Sequence, residues 1–204
     1  MTRLGLLVLV TLLTASVALA EGPIDKRLSE GQVLRGEFTQ ERHLQGFANS
    51  LRSEGKFVLA PGYGLIWQTE KPFAITTVIT AAGLAQEVNG NQTLKLEAAK
   101  LPFLNQLYDM LSGALTGDWT KLETSFSVAR SGDDQHWQVA LRPRKADDPG
   151  MPFQAIDVTG SQFVDELQLK KPDGDFDRLD FYDQAISDQP LTEAEAAAFA
   201  TTAP

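Results

Sequence analysis

The sequence predicts an α+β fold: an incomplete, strongly curved antiparallel β half-barrel with a helical lid over an apolar concave face. Three observations predict it. Short strand-like segments recur along the chain with turn signals between them, at a spacing of roughly 8–12 residues. One strongly amphipathic helical segment, 101–115, interrupts them. A single sheet of about ten strands must also curl, and that helix is the element available to cover its hollow side.

The chain has 204 residues, 43% hydrophobic and 22% charged, with no cysteine and a formal net charge of −9. The length is ample for one core. The apolar content excludes a wholly disordered chain. Without cysteine there is no disulfide scaffold, thiol catalysis, Cys-based zinc site or acylated N-terminal cysteine. An acidic chain with no basic patch is a poor nucleic-acid binder.

Residues 1–20, MTRLGLLVLVTLLTASVALA, read as a cleaved signal peptide. Arg3 supplies the positive start, Leu4 to Leu13 the apolar run, and Ala18-Leu19-Ala20 the small-x-small cleavage site. The run is short for a membrane span, and no basic cluster follows it. Residues 21–204 then form one exported domain.

The elements follow in order. Residues 23–31, PIDKRLSEG, suggest a short helix between Pro23 and Gly31. Strand character follows at 34–44 and 51–60. After the Pro61-Gly62 turn it returns at 64–71 and 73–81, the latter apolar on both faces. Segments 84–90 and 92–98 flank Gly90-Asn91. In the helix 101–115, Leu101, Leu104, Leu107, Tyr108, Leu111 and Leu115 recur at three- and four-residue spacing. Asn105, Gln106, Asp109 and Ser112 form the polar stripe. Strands resume at 121–130 and 136–144 around the turn 131–134, then at 153–160, 163–172 and 176–184. Pro172-Asp173-Gly174-Asp175 is a tight turn. Thr192 with Glu195 three residues on makes a capping box, followed by a tail expected to fray.

Catalytic and metal signatures are missing. His43 and His136 stand alone in predicted strands, so no metal cluster is expected. There is no GxSxG elbow and no glycine-rich phosphate loop. Asp173, Asp175 and Asp177 alternate as in a calcium loop. However, Arg178 occupies the position that requires glycine and Gln184 the position that requires a bidentate glutamate. This segment reads as a hairpin with solvated acids. No catalytic carboxylate pair stands out, and no cofactor is implied.

The apolar surplus at Phe57, Leu59, Leu65, Trp67, Phe73, Ile75, Val78 and Ile79 is the more informative feature. It fits two readings, an ordinary core or the wall of a cavity for acyl chains.

At 38–72 the sequence resembles a known family. Phe38-Thr39-Gln40, then GKFVLAPGYGLIW at 55–67, then Pro72 five residues after Trp67 are similar to the LolA-type periplasmic lipoprotein carriers. The run LQLKKPDGDFDRLDFYD at 167–183 resembles that family's late hairpin. The resemblance implies an incomplete β-barrel closed by helices that carries lipoprotein acyl chains across the periplasm. The implied partners are an inner-membrane ABC release complex and an outer-membrane acceptor, with a likeness to monomeric carriers. On that resemblance the acyl-binding candidates are Phe57, Leu65, Trp67, Phe73 and Ile75 on the sheet. Leu104, Leu107, Met110 and Leu111 are the candidates on the lid, Met110 as an adaptable contact. The family's arginine beside the turn proline is absent, since Ala60 and Pro61 stand there. A divergent branch with a different lid latch is therefore expected. A lipid or lipoprotein sensor of the same fold is the alternative. A periplasmic enzyme is a third reading, disfavoured by the missing acid, base and nucleophile.

Overall fold

A computed structural model describes residues 28–100, 108–109, 112–113, 119–133, 135–145 and 153–202. The expected signal peptide at 1–20, residues 23–27 of the expected first helix and most of the expected helix 101–115 lie outside the described residues.

The strands are β1 (Val33–His43), β2 (Leu51–Ala60), β3 (Gly64–Lys71), β4 (Ile75–Ile79), β5 (Gly83–Val88) and β6 (Asn91–Glu97). They continue as β7 (Phe126–Gly132), β8 (Trp137–Pro143), β9 (Ala155–Gly160), β10 (Val164–Lys170) and β11 (Phe176–Ser187). One helix, α1 (Glu193–Ala200), follows.

All eleven strands join one sheet in the order β6-β5-β4-β3-β2-β1-β11-β10-β9-β8-β7, with each paired neighbour antiparallel. The sheet is not closed, because β6 and β7 are its two edges. Two local meanders, β1–β6 and β7–β11, are joined by the pairing of β1 with β11. That pairing brings Phe38 opposite Phe181. It contains a bulge where Asp183, at φ +51°, and Gln184 together face Gly36. The extra residue reverses the side-chain alternation, as bulges do.

Strand alternation divides the apolar residues between two faces. The inner face carries the large cluster, with Leu34, Phe38, Phe57, Leu59, Leu65, Ile79, Leu141, Ile156, Leu167, Leu179 and Phe181 among its members. Trp119 and Leu122 pack onto it from a short 3-10 turn at Thr120–Thr124. The outer face carries a smaller cluster of Val33, Ala60, Ile66, Val78 and Phe199. Strand β4 serves both, with Val78 outward and Ile79 inward, which accounts for its two apolar faces.

Helix α1 lies on the outer face of β1–β4, fixed by its capping box. Glu195 bonds back to the Thr192 backbone N–H at 2.7 Å. It also accepts from Arg35 Nε and Nη2 at 2.8 and 2.7 Å. The Arg35 guanidinium is the main reason the Glu195 carboxyl is pushed down to about 2. Beyond the helix, the Thr80 and Thr202 hydroxyls meet at 2.7 Å in a buried contact. The expected frayed tail is thus corrected as far as Thr202, which is buried and bonded.

Two other expectations change. Residues 121–125 belong to the 3-10 turn and its end, so the strand begins at Phe126. Residues 28–31 are not helical; Gly31 sits in a turn with φ +85°.

Candidate functional site

The inner face of β1–β3 and β11 is covered by aromatic rings. Phe57 on β2 stands opposite Trp67 on β3, with ring centroids 6.2 Å apart. Trp67 reaches past β2 to stack on Phe38 of β1 at 3.8 Å. Alternate strands are about 9.6 Å apart, so this contact requires both rings to lie low across β2. Phe181 of β11 meets Phe57 and Trp67 edge-on, at 5.7 and 6.2 Å. Such geometry places positive ring edges against negative faces.

Glycines make the rings fit. A Cβ on Gly36 would meet the Phe57 ring at 2.7 Å, so that ring lies over the β1 backbone. Gly55 stands between Phe38 and Thr69 in the register, leaving the low path for the Trp67–Phe38 stack. Gly160 does the same under Trp137 of β8, where a Cβ would lie 2.1 Å from the indole. The Trp137 indole N–H is satisfied by Ser161 O at 2.7 Å.

Burial changes across this face. Leu141 on β8, Ile156 on β9 and Leu167 on β10 are fully buried. Towards the other edge, Ile75 and Thr77 on β4 and Leu84, Gln86 and Val88 on β5 are only half-buried. Leu94 on β6 is exposed. The register places these residues on one face: Ile79 pairs with Leu84 and Leu84 with Leu96, while Thr77 pairs with Gln86 and Gln86 with Leu94. The β4–β6 wing therefore presents a half-open strip, apolar at Ile75, Leu84, Val88 and Leu94 and polar at Thr77 and Gln86, that its described neighbours do not fully cover. Tyr108, Asp109, Ser112 and Gly113 are helical, and Tyr108 packs against the large cluster.

The sheet candidates separate accordingly. Phe57 and Leu65 are fully buried within the cluster, Trp67 is half-buried against it, and Ile75 is half-buried on the open wing. Phe73 is 67% exposed in the β3–β4 turn and is not brought to the cluster. It shares that end of the sheet with the exposed Phe47 of the β1–β2 turn. The lid candidates Leu104, Leu107, Met110 and Leu111 lie outside the described residues.

Charge gathers at the same end. Asp177, expected to be solvated, is buried beside Arg42 Nε at 2.7 Å and Lys171 Nζ at 3.3 Å. Asp175 accepts from the Gln45 backbone N–H at 2.7 Å, joining the β1–β2 and β10–β11 turns. Both acids are structural ties in the hairpin. His43 stacks on Phe176, and His136 lies in the bend before β8 rather than in a strand. Among the described residues no group of three or more His, Asp or Glu is placed to hold a metal ion. None of the described helices is long and apolar enough to cross a membrane.

Sequence reasoning did not single out Trp119 or Trp137. The glycines beneath the rings were its available signal, through Gly55-x-Phe57, but Gly36 and Gly160 reveal their partners only once strand pairing is known.

The family described as "Outer membrane lipoprotein carrier protein LolA-like" matches residues 14–167. The chain belongs to this family. It is a divergent LolA-like member, from a family whose members are generally binding or carrier proteins rather than enzymes. The LolA-like chain is similar to a LolA superfamily protein of Nitrosomonas europaea, at 8% identity and TM-score 0.44, covering 84% of this chain and 92% of that one. It is also similar to a DUF1329 family protein of Desulfovibrio piger, at 10% identity and TM-score 0.41, covering 84% and 90%. A third similar structure is the lipoprotein LppX of Mycobacterium tuberculosis, at 9% identity and TM-score 0.35, covering 80% and 89%. No curated protein matches the chain.

Proposed function

We propose that this LolA-like protein is a periplasmic carrier, exported through a cleaved signal peptide at 1–20. It holds the acyl chains of lipoproteins or related amphiphiles against the inner face of its sheet and moves them from inner to outer membrane. The observation that carries this reading is the family match over 154 of 204 residues, from 14 to 167. The half-open strip on the β4–β6 wing supports it. Strand pairing joins that strip to the inner-face cluster through Leu65, Ile79 and Leu84.

Transfer by such a protein needs no cofactor and no covalent step. Acyl chains leave water for apolar surface, each buried CH2 contributing about 0.8 kcal/mol. Trp67 and Ile75 offer contact surface, with Phe57 and Leu65 as the rigid floor beneath. Leu104, Leu107, Met110 and Leu111 form the lid that shifts to admit cargo. Phe73 stands at the entrance rather than in the wall. The carrier works as a monomer between an inner-membrane ABC release complex and an outer-membrane acceptor. With Ala60 and Pro61 in place of the family's arginine, the lid latch differs from that of the classical carriers.

Native mass spectrometry of protein purified from periplasm without detergent tests this. A lipid- or lipoprotein-sized adduct that detergent displaces is expected. Bare protein that also refuses an added acyl probe would overturn the reading.

A further inference from the structure

Trp119 is among the largest fully buried side chains, yet its indole Nε1–H has no hydrogen-bond partner among the described residues. Orphaned buried N–H donors are rarer than under-satisfied acceptors. Leaving one unpaired costs a large part of its desolvation penalty. The comparison within the molecule is direct. Trp137, on the same inner face, gives its N–H to Ser161 O at 2.7 Å. The other unpaired buried atom, Gln184 Oε1, belongs to an amide whose Nε2 already donates to Val164 O at 2.7 Å. Among the described residues, Trp119 is therefore the buried side-chain donor with nothing to give to.

Its surroundings restrict what could accept. Trp119 belongs to the inner-face cluster, whose buried members are all apolar residues. An anion brought among these side chains would lose its hydration without a counter-charge. A neutral carbonyl would not. The neutral carbonyl that an acyl chain brings into an apolar interior is its own ester or amide group.

We infer that the Trp119 indole N–H is a polar anchor that takes the ester or amide carbonyl of a bound acyl chain. The inference deepens the carrier reading and rests on it. It gives the inner face a polar fixed point, so that the chain is held in register rather than merely absorbed. It also gives the carrier selectivity for acylated cargo over plain alkyl amphiphiles. One good neutral hydrogen bond corresponds to a preference of about tenfold.

Two fluorescent probes with the same head group test it, one carrying a hexadecanoyl ester and the other a hexadecyl ether. The full-length mature protein is expected to bind the ester about tenfold more tightly. Trp119→Phe is expected to remove that preference by weakening ester binding while leaving ether binding within about twofold. A second measurement does not depend on how well the variant folds. In 15N-labelled wild-type protein the Trp119 indole proton is expected to move downfield with the ester probe and not with the ether. Equal affinity for the two probes, a preference that survives Trp119→Phe, or an indole proton indifferent to the ester would each overturn the anchor. Binding of neither probe by wild-type protein would instead overturn the carrier reading beneath it.

Discussion

The two wings of the sheet spend the same kind of residue differently. On β8, β9 and β10 the inward leucines, isoleucine and valines are sealed, with Leu141, Ile156 and Leu167 fully buried. On β4, β5 and β6 the inward Ile75, Leu84, Val88 and Leu94 keep part of their surface open. Trp119 and Leu122 join the shared inner-face cluster from the turn before β7. A sealed apolar face stabilises the fold, whereas a partly open one leaves surface for something else to bury. The outer faces differ in the opposite sense. There the β1–β4 wing is covered by α1, while β8–β11 carries ion pairs such as Arg142 and Lys170 on Asp157, and Arg178 on Glu166.

The largest expected effect is on the sealed wing. Leu141→Ala should cost about 3 kcal/mol of stability, since it leaves a cavity where nothing can collapse. Chemical denaturation measures that loss. Acyl-probe affinity of the folded fraction should stay within about threefold, and a parallel loss of affinity would break the division between the wings.

The outer face comes next. Glu195→Gln should cost about 2 kcal/mol at neutral pH, allowing for the solvent around Arg35. Folding lowers the Glu195 carboxyl from 4.5 to about 2. Its contribution is thus fully present above about pH 4.5 and fades as the pH falls towards 2. Stability curves of wild type and variant should converge through that window, with probe binding at pH 7 unchanged. Curves that stay parallel would show that Arg35 does not hold this carboxylate.

The smallest change in stability is expected on the open wing. Ile75→Asp should shift the unfolding free energy by less than about 1 kcal/mol, because the position is half-exposed. It should weaken an acyl probe about tenfold, corresponding to about 1.4 kcal/mol. Unaltered affinity with a large stability loss would make β4 part of the sealed core.

Most of the fold was legible because strand alternation and turn residues report local structure directly. Strand β2 matches its expected bounds at both ends, since Ser50 and Pro61-Gly62 bracket it. The start of β7 was misread for a specific reason. Leu122, Thr124 and Phe126 alternate as in a strand, but Leu122 reaches the core from a 3-10 turn. The burial of Thr202 was invisible because its partner Thr80 is 122 residues away. Of the site, the aromatic residues were legible and their arrangement was not. Phe57 over Gly36 and Trp67 against Phe38 depend on register, which alternation alone does not fix. Phe73 looked equivalent to Phe57 in composition and sits in a turn instead.

Photo-crosslinking with a diazirine-bearing hexadecanoyl chain, followed by peptide mapping, tests the division most directly. Labels concentrated in residues 64–97, and reduced by Ile75→Asp, are the expected result. Labels confined to 126–143 and 155–170, or spread evenly over the surface, would contradict an acyl site on the open wing.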